Sequence, residues 1–151
     1  MTSFSQEAIS EYIAAAGKAV WEVPQLDPNT KTRPISRVGV IGAGTMGGGI
    51  SMNFATAGLP ITIVEQKADA LERGLATVRG HYQRSADKGR FPQEEVEARM
   101  QRFDGRLSLE DLAECDLIIE AVFENMELKK EIFSALDKIA KPSAILATNT
   151  S

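Results

Sequence analysis

The sequence predicts an α/β protein, a doubly wound parallel sheet of the Rossmann type, preceded by an N-terminal helix and a proline-rich linker. Three observations carry this. From residue 35 onward, short runs of aliphatic and β-branched residues alternate with longer stretches of helical period. Such alternation builds a parallel sheet covered on both faces. The first run ends in a glycine cluster that opens a helix, Gly42-Ala43-Gly44-Thr45-Met46-Gly47. The second run closes on an acid, Glu65, eighteen residues after Gly47.

The elements follow in order. Residues 1–22 read as a helix, because Ile9, Tyr12, Ile13, Ala16 and Val20 recur at helical spacing and form one apolar stripe. That stripe calls for a covering surface, either the domain that follows or a neighbouring chain in a homo-oligomer. Pro24, Pro28 and Pro34 then fall within eleven residues and mark a linker, since each removes a donor and restricts the residue before it. The chain therefore divides into residues 1–34 and residues 35–151.

Val38-Gly39-Val40-Ile41 is a buried strand. A helix over residues 45–57 stops at Gly58-Leu59-Pro60. Ile61-Thr62-Ile63-Val64 is the second strand. Leu71, Leu75, Val78 and Tyr82 set the inner face of the next helix, and EEVEARM is a shorter, more exposed one after Gly89 and Pro92. Arg106-Leu107-Ser108-Leu109 reads as a weak strand and residues 117–122 as a strong one. Asn125 caps a helix with Leu128, Ile132, Ala135, Leu136 and Ile139 inward; Pro142 ends it, and residues 144–148 are a further strand. A chain stopping at Ser151, directly after a strand, is expected to be a fragment.

Composition narrows the function classes. Hydrophobic residues at 43% and charged residues at 25% exclude wholesale disorder. Seventeen basic against twenty-one acidic residues, with no basic run of five, argue against a nucleic-acid partner. No apolar run approaches the ~18–20 residues of a membrane span. Cys115 is the single cysteine, which excludes an internal disulfide and a cysteine-based zinc site, and no metal site is expected. A lone thiol fits a reducing compartment, and MTSFSQEAISEY lacks the regions of a signal peptide, so the expected location is cytoplasmic.

The chemistry centres on the glycine turn. Its first glycine permits the turn, its second lets a pyrophosphate approach the backbone, and its third lets helix and strand pack closely. The free N–H groups of the helix start then meet the phosphates without a basic side chain. Glu65 can accept hydrogen bonds from both adenosine ribose hydroxyls and would repel a 2′-phosphate, which selects NAD over NADP. Ligands of such sheets bind outside the carboxyl ends of the strands, at the point where strand order reverses. Val122, Phe123 and Glu124 should therefore approach the nicotinamide half, although Phe123 could equally be loop packing. Lys129 stands one turn into the next helix, where a lysine is most often a solvated charge. His81, the only histidine, sits mid-helix away from those strand ends and reads as structural. Cys115 reads as a small hydrophobe.

The segments VGVIGAGTMGGGI, ITIVEQ, DLIIEAVFENMELKKEIF and ILATNTS together resemble the NAD-binding domain of L-3-hydroxyacyl-CoA dehydrogenases, over residues 37–151. The preceding GKAVWEVPQL and its prolines are similar to the join in fused multifunctional β-oxidation enzymes, where an enoyl-CoA hydratase domain comes first. The resemblance implies that Gly42, Gly44, Thr45, Met46 and Gly47 form the dinucleotide loop, and that Glu65 stands where the family usually has Asp. It implies that Val122, Phe123, Glu124 and Lys129 line the cofactor. It also implies that Asn149 lies by the nicotinamide and that Ser151 reaches the substrate's 3-oxygen. The family's general base is a His oriented by a Glu, and no residue of this chain matches either. The implied reaction is hydride transfer from C3 of a 3-hydroxyacyl-CoA to NAD. The acyl-CoA site would need a further C-terminal domain, so the chain alone should be catalytically incomplete. Two other readings share the glycine turn: a related β-hydroxyacid or 6-phosphogluconate-type dehydrogenase, and a non-catalytic dinucleotide-binding or redox-sensing module. The EAVFEN and ATNTS segments favour the first reading.

Overall fold

The structure, a computed structural model, describes residues 5–27 and 29–150. They fall into two compact units, Met1–Arg33 and Pro34–Ser151.

Among the described residues the first unit holds one helix, α1 (Gln6–Ala19). Ser5 caps it by accepting a hydrogen bond from the Ala8 N–H at 3.2 Å. Glu7 in its first turn and Lys18 in its last suit the helix dipole. None of its residues is buried, and Ile9, Tyr12 and Ile13 stand exposed.

The second unit runs β1 (Val38–Ile41), α2 (Thr45–Thr56), β2 (Ile61–Val64), α3 (Ala68–Asp87), α4 (Glu94–Met100), β3 (Phe103–Arg106), a short 3-10 turn (Leu109–Leu112), β4 (Leu117–Glu120), α5 (Met126–Ile139) and β5 (Ile145–Thr148). The sheet has five strands in the order β3-β2-β1-β4-β5. All four pairings are parallel. The strand order reverses between β1 and β4, the switch point of a doubly wound sheet.

The two faces have separate cores, as the two-residue period of a strand requires. Val38, Val40, Ile61 and Ile63 pack with Ala55 of α2 and Leu71 of α3. Ile41, Val64 and Ile118 pack on the other side with Leu112, Ile132 and Leu136. Gly39 belongs to that second face, where a Cβ would lie 2.6 Å from the Leu112 side chain. A third cluster joins α3 to α4 through Val78, Tyr82 and Val96. The buried Tyr82 hydroxyl is satisfied by donating to the Met52 carbonyl at 3.0 Å.

Three elements differ from the sequence reading by more than one residue at a boundary. β3 is Phe103–Arg106 instead of residues 106–109. Phe103 and Gly105 turn inward there while Asp104 and Arg106 point out, and Leu109 already starts the 3-10 turn. The sequence reading followed the two leucines and overlooked an inward face made of one aromatic and one glycine. β4 ends at Glu120, because its side chain bends back onto the Val122 N–H and turns the chain. α1 ends at Ala19 instead of residue 22.

Asp116, just before β4, fastens the entry to β1. Its carboxylate accepts from the Ser36 N–H at 2.7 Å, the Ser36 hydroxyl at 2.7 Å and the Arg37 N–H at 2.9 Å, and pairs with Lys141 at 2.6 Å. Lys141 first, and then these hydrogen bonds, hold the carboxyl far below its ordinary value of 3.8. A depressed folded-state pKa stabilises the fold above the unfolded value and ceases to do so as pH falls through the folded one. Asp116→Asn should therefore lower the melting temperature at pH 7, and the gap from wild type should close as the pH drops below 3.8. Thermal melts from pH 7 downward check this. A gap that stays constant with pH would contradict it.

Candidate functional site

The site is assembled at the C-terminal ends of β1, β2 and β4. The chain leaves β1 at Gly42, whose φ of +102° disfavours a side chain. Its N–H donates to the Val64 carbonyl at 2.8 Å, which ties the turn to the end of β2. A Cβ on Gly42 would also lie 2.6 Å from the Ala121 carbonyl oxygen of the neighbouring loop. Gly47, in the first turn of α2, is closer still: a Cβ would come within 1.9 Å of the Gly42 carbonyl oxygen. These two glycines are demanded by packing alone. Gly74 of α3 is a third such residue, where a Cβ would sit 2.3 Å from the Ala43 carbonyl oxygen. The sequence reading passed over Gly74, because a mid-helix glycine signals nothing without knowledge of what crosses it.

Gly44 is different in kind. It is the N-cap of α2 at φ −73°, it is exposed, and a Cβ there would meet nothing within 4 Å. The fold does not need this glycine; the open space in front of it is what a larger residue would fill. No side chain caps α2, and its first turn holds no acid. The orphan N–H groups of a helix start therefore face that space unpartnered by side chains, the arrangement that accepts a phosphate.

Glu65, half-buried directly after β2, lies against the same turn. Its Oε2 accepts from the Ala43 N–H at 3.2 Å and its Oε1 from the Gln66 N–H at 2.9 Å. A carboxylate has further lone pairs for ribose hydroxyls after these two bonds. Gly42, Gly44, Glu65, Ala121, Val122 and Phe123 line one hollow of about 290 Å3. A larger groove of about 700 Å3 shares Gly44 and Glu65 with this hollow and runs on between α2 and α3 past Gly48, Thr77 and His81. We assign the cofactor to the smaller hollow, because it alone lies over the ends of β1 and β4 where the strand order reverses.

Phe123 is 82% exposed at the hollow's edge. Thr45 lines the α2–α3 groove, and Met46 is exposed without lining either space. Glu124 turns away from the hollow: it pairs with Lys129 at 3.0 Å and accepts from the Thr150 hydroxyl at 3.0 Å. Those two bonds, Lys129 foremost, hold its carboxyl below its ordinary value. Lys129 is no solvated charge. It is buried in the first turns of α5, 3.2 Å from Glu120 as well, and Glu124 in first place raises its pKa. Asn125 caps α5, accepting from the Leu128 N–H at 3.0 Å. Asn149 is anchored through its N–H, which donates to the Glu120 carbonyl at 2.8 Å. Ser151 lies outside the described residues. His81 is exposed, with Nδ1 2.8 Å from an Arg84 nitrogen. Cys115 is buried, and that burial pushes its thiol pKa up. Among the described residues no cluster of His, Cys, Asp and Glu could hold a metal ion.

A parallel sheet that switches between β1 and β4, with an open glycine at a helix start and an acid after β2, defines a dinucleotide-binding domain. Residues 37–151 match the family described as "3-hydroxyacyl-CoA dehydrogenase, NAD binding domain", and the chain belongs to that family. Its cofactor is accordingly NAD. It is 42% identical over 120 residues to the peroxisomal bifunctional enzyme of Cavia porcellus, covering 79% of this chain and 16% of that protein. The peroxisomal bifunctional enzyme of Danio rerio is 38% identical over 148 residues, covering 98% of this chain and 19% of that protein. The crystal structure of (S)-3-hydroxybutyryl-CoA dehydrogenase PaaH1 from Ralstonia eutropha superposes with a TM-score of 0.76 at 36% identity, covering 78% of this chain and 42% of the other. The chain thus spans under half of each of these relatives.

Proposed function

We propose that this chain supplies the NAD site of a larger, multifunctional oxidoreductase that oxidises (S)-3-hydroxyacyl-CoA to 3-ketoacyl-CoA in fatty-acid β-oxidation. The observation that carries the reading is the open space at Gly44, over an uncapped helix start and beside the Glu65 carboxylate. The names of the relatives support the reaction class.

In this reading the α2 N–H groups hold the diphosphate and Glu65 holds the adenosine ribose. Val122 and Phe123 wall the hollow on the side of β4. Bound NAD supplies the hydride acceptor. Asn149, the residue after β5, stands by the nicotinamide, and Ser151 contacts the substrate oxygen. The acyl-CoA is held with the help of a further domain, and the proton is taken by a base outside this chain.

Titration calorimetry of the purified chain with NADH and NADPH tests the proposal. NADH should bind clearly more tightly, because the Glu65 carboxylate would repel a 2′-phosphate, a preference that Lys67, two residues on, weakens only slightly. Glu65→Ala should weaken NADH by roughly 1–3 kcal/mol, the scale of hydrogen bonds to a charged group. Equal affinities for the two cofactors would remove the ribose assignment.

A further inference from the structure

We infer that Glu120 is a positioning residue of the cofactor site, its buried carboxylate holding the 121–124 loop, Lys129 and the exit of β5 in a single arrangement. The inference rests on the NAD reading above and concerns a residue outside the hollow itself.

Glu120 is the last residue of β4, and none of its surface is exposed. It lies in register between Ile41 of β1 and Thr148 of β5, one residue before both chains leave the sheet. Each carboxylate oxygen has a task. Oε1 accepts from the Val122 N–H at 2.8 Å and so sets the turn that carries Val122 and Phe123 over the hollow. Oε2 accepts from the Thr148 hydroxyl and pairs with Lys129 at 3.2 Å. The Glu120 carbonyl takes the Asn149 N–H at 2.8 Å. One residue therefore fixes the ends of three elements around the switch point.

Stability alone does not account for an acid here. The strand reads Leu117-Ile118-Ile119, and an apolar fourth residue would continue it without burying a charge. A buried ion pair is often no more stabilising than apolar residues of the same volume, so its gain lies in defined geometry. The pair is also fully served. Among the described residues no buried side-chain N or O atom lacks a hydrogen-bond partner. Lys129 has three donors and spends two on Glu120 and Glu124.

Glu120→Gln tests this, because it keeps the shape and the acceptor for Val122 while removing the charge that Lys129 and Thr148 meet. Calorimetry on the 151-residue chain should compare NADH with ADP, which reaches only the glycine turn and Glu65. The NADH affinity should fall roughly tenfold, within the range of coupling energies between contacting residues. The ADP affinity should stay within roughly twofold on the same scale. Should this variant not fold, Thr148→Val removes one of Glu120's partners from β5 and reads the same split. Equal losses for both ligands would mark Glu120 as a merely structural residue and overturn the inference, as would an unchanged NADH affinity. A wild-type chain that binds neither ligand would overturn the NAD reading and this inference with it; a wild-type chain that binds both while the variants show no split overturns the inference alone.

Discussion

Gly44→Val is expected to fold like the wild type and to lose roughly a hundredfold or more in NADH affinity, ~2.7 kcal/mol or above. The two halves of this result come from different observations. Folding is spared because Gly44 has φ −73° and ψ −170°, values open to any residue, and because nothing lies within 4 Å of a Cβ there. Binding is lost because the added methyls occupy the space in which a diphosphate must reach the N–H groups of α2. Gly47→Ala gives the contrast within the same turn. A Cβ 1.9 Å from the Gly42 carbonyl oxygen forces β1 and α2 apart, so that variant should fail as a fold. Thermal melts beside calorimetric titrations separate the two cases. A well-folded Gly44→Val chain that binds NADH as the wild type does would show that the turn is not the phosphate site.

The second large effect is an absence of turnover. The purified 151-residue chain should reduce NAD with (S)-3-hydroxybutyryl-CoA no faster than buffer. Oxidising an alcohol requires a base within hydrogen-bond reach of its proton. The one histidine, His81, lies on α3, lines the α2–α3 groove and not the hollow, and is engaged with Arg84. A serine hydroxyl with no base beside it is a poor acceptor at neutral pH. Holding the substrate carbon against the cofactor can be worth ~7–11 kcal/mol, and in the proposed reading that positioning is shared with a further domain. Spectrophotometric detection of NADH checks this, and turnover abolished by His81→Ala would contradict it.

The strands of the parallel sheet and the glycine turn were legible in the sequence because each rests on local information, and the β1–β4 switch point followed from the strand order of a doubly wound sheet. Val38-Gly39-Val40-Ile41 and Ile61-Thr62-Ile63-Val64 are buried on both faces and show as short runs dominated by aliphatic and β-branched residues. Asn125 could be read as a cap because its partner lies three residues on. What escaped depends on distant neighbours. Phe103 and Gly105 make a strand only because β2 pairs with them. Gly74 matters only because Ala43 crosses it. Glu120 and Lys129 are nine residues apart in sequence, and their charges gave no sign that β4 and α5 bury them together. Glu124 was expected near the nicotinamide because it follows the end of β4, and its ion pair with Lys129 and its bond from Thr150 could not be read from that position.

The central claim is that NAD occupies the hollow between the glycine turn, Glu65 and the loop after β4. Backbone amide NMR of the labelled chain titrated with NADH tests it most directly. The largest shifts should fall on Gly42, Gly44, Thr45, Glu65, Val122 and Phe123, with His81 and Thr77 almost unmoved. Shifts concentrated on Gly48, Thr77 and His81 would place the ligand in the α2–α3 groove and contradict the account.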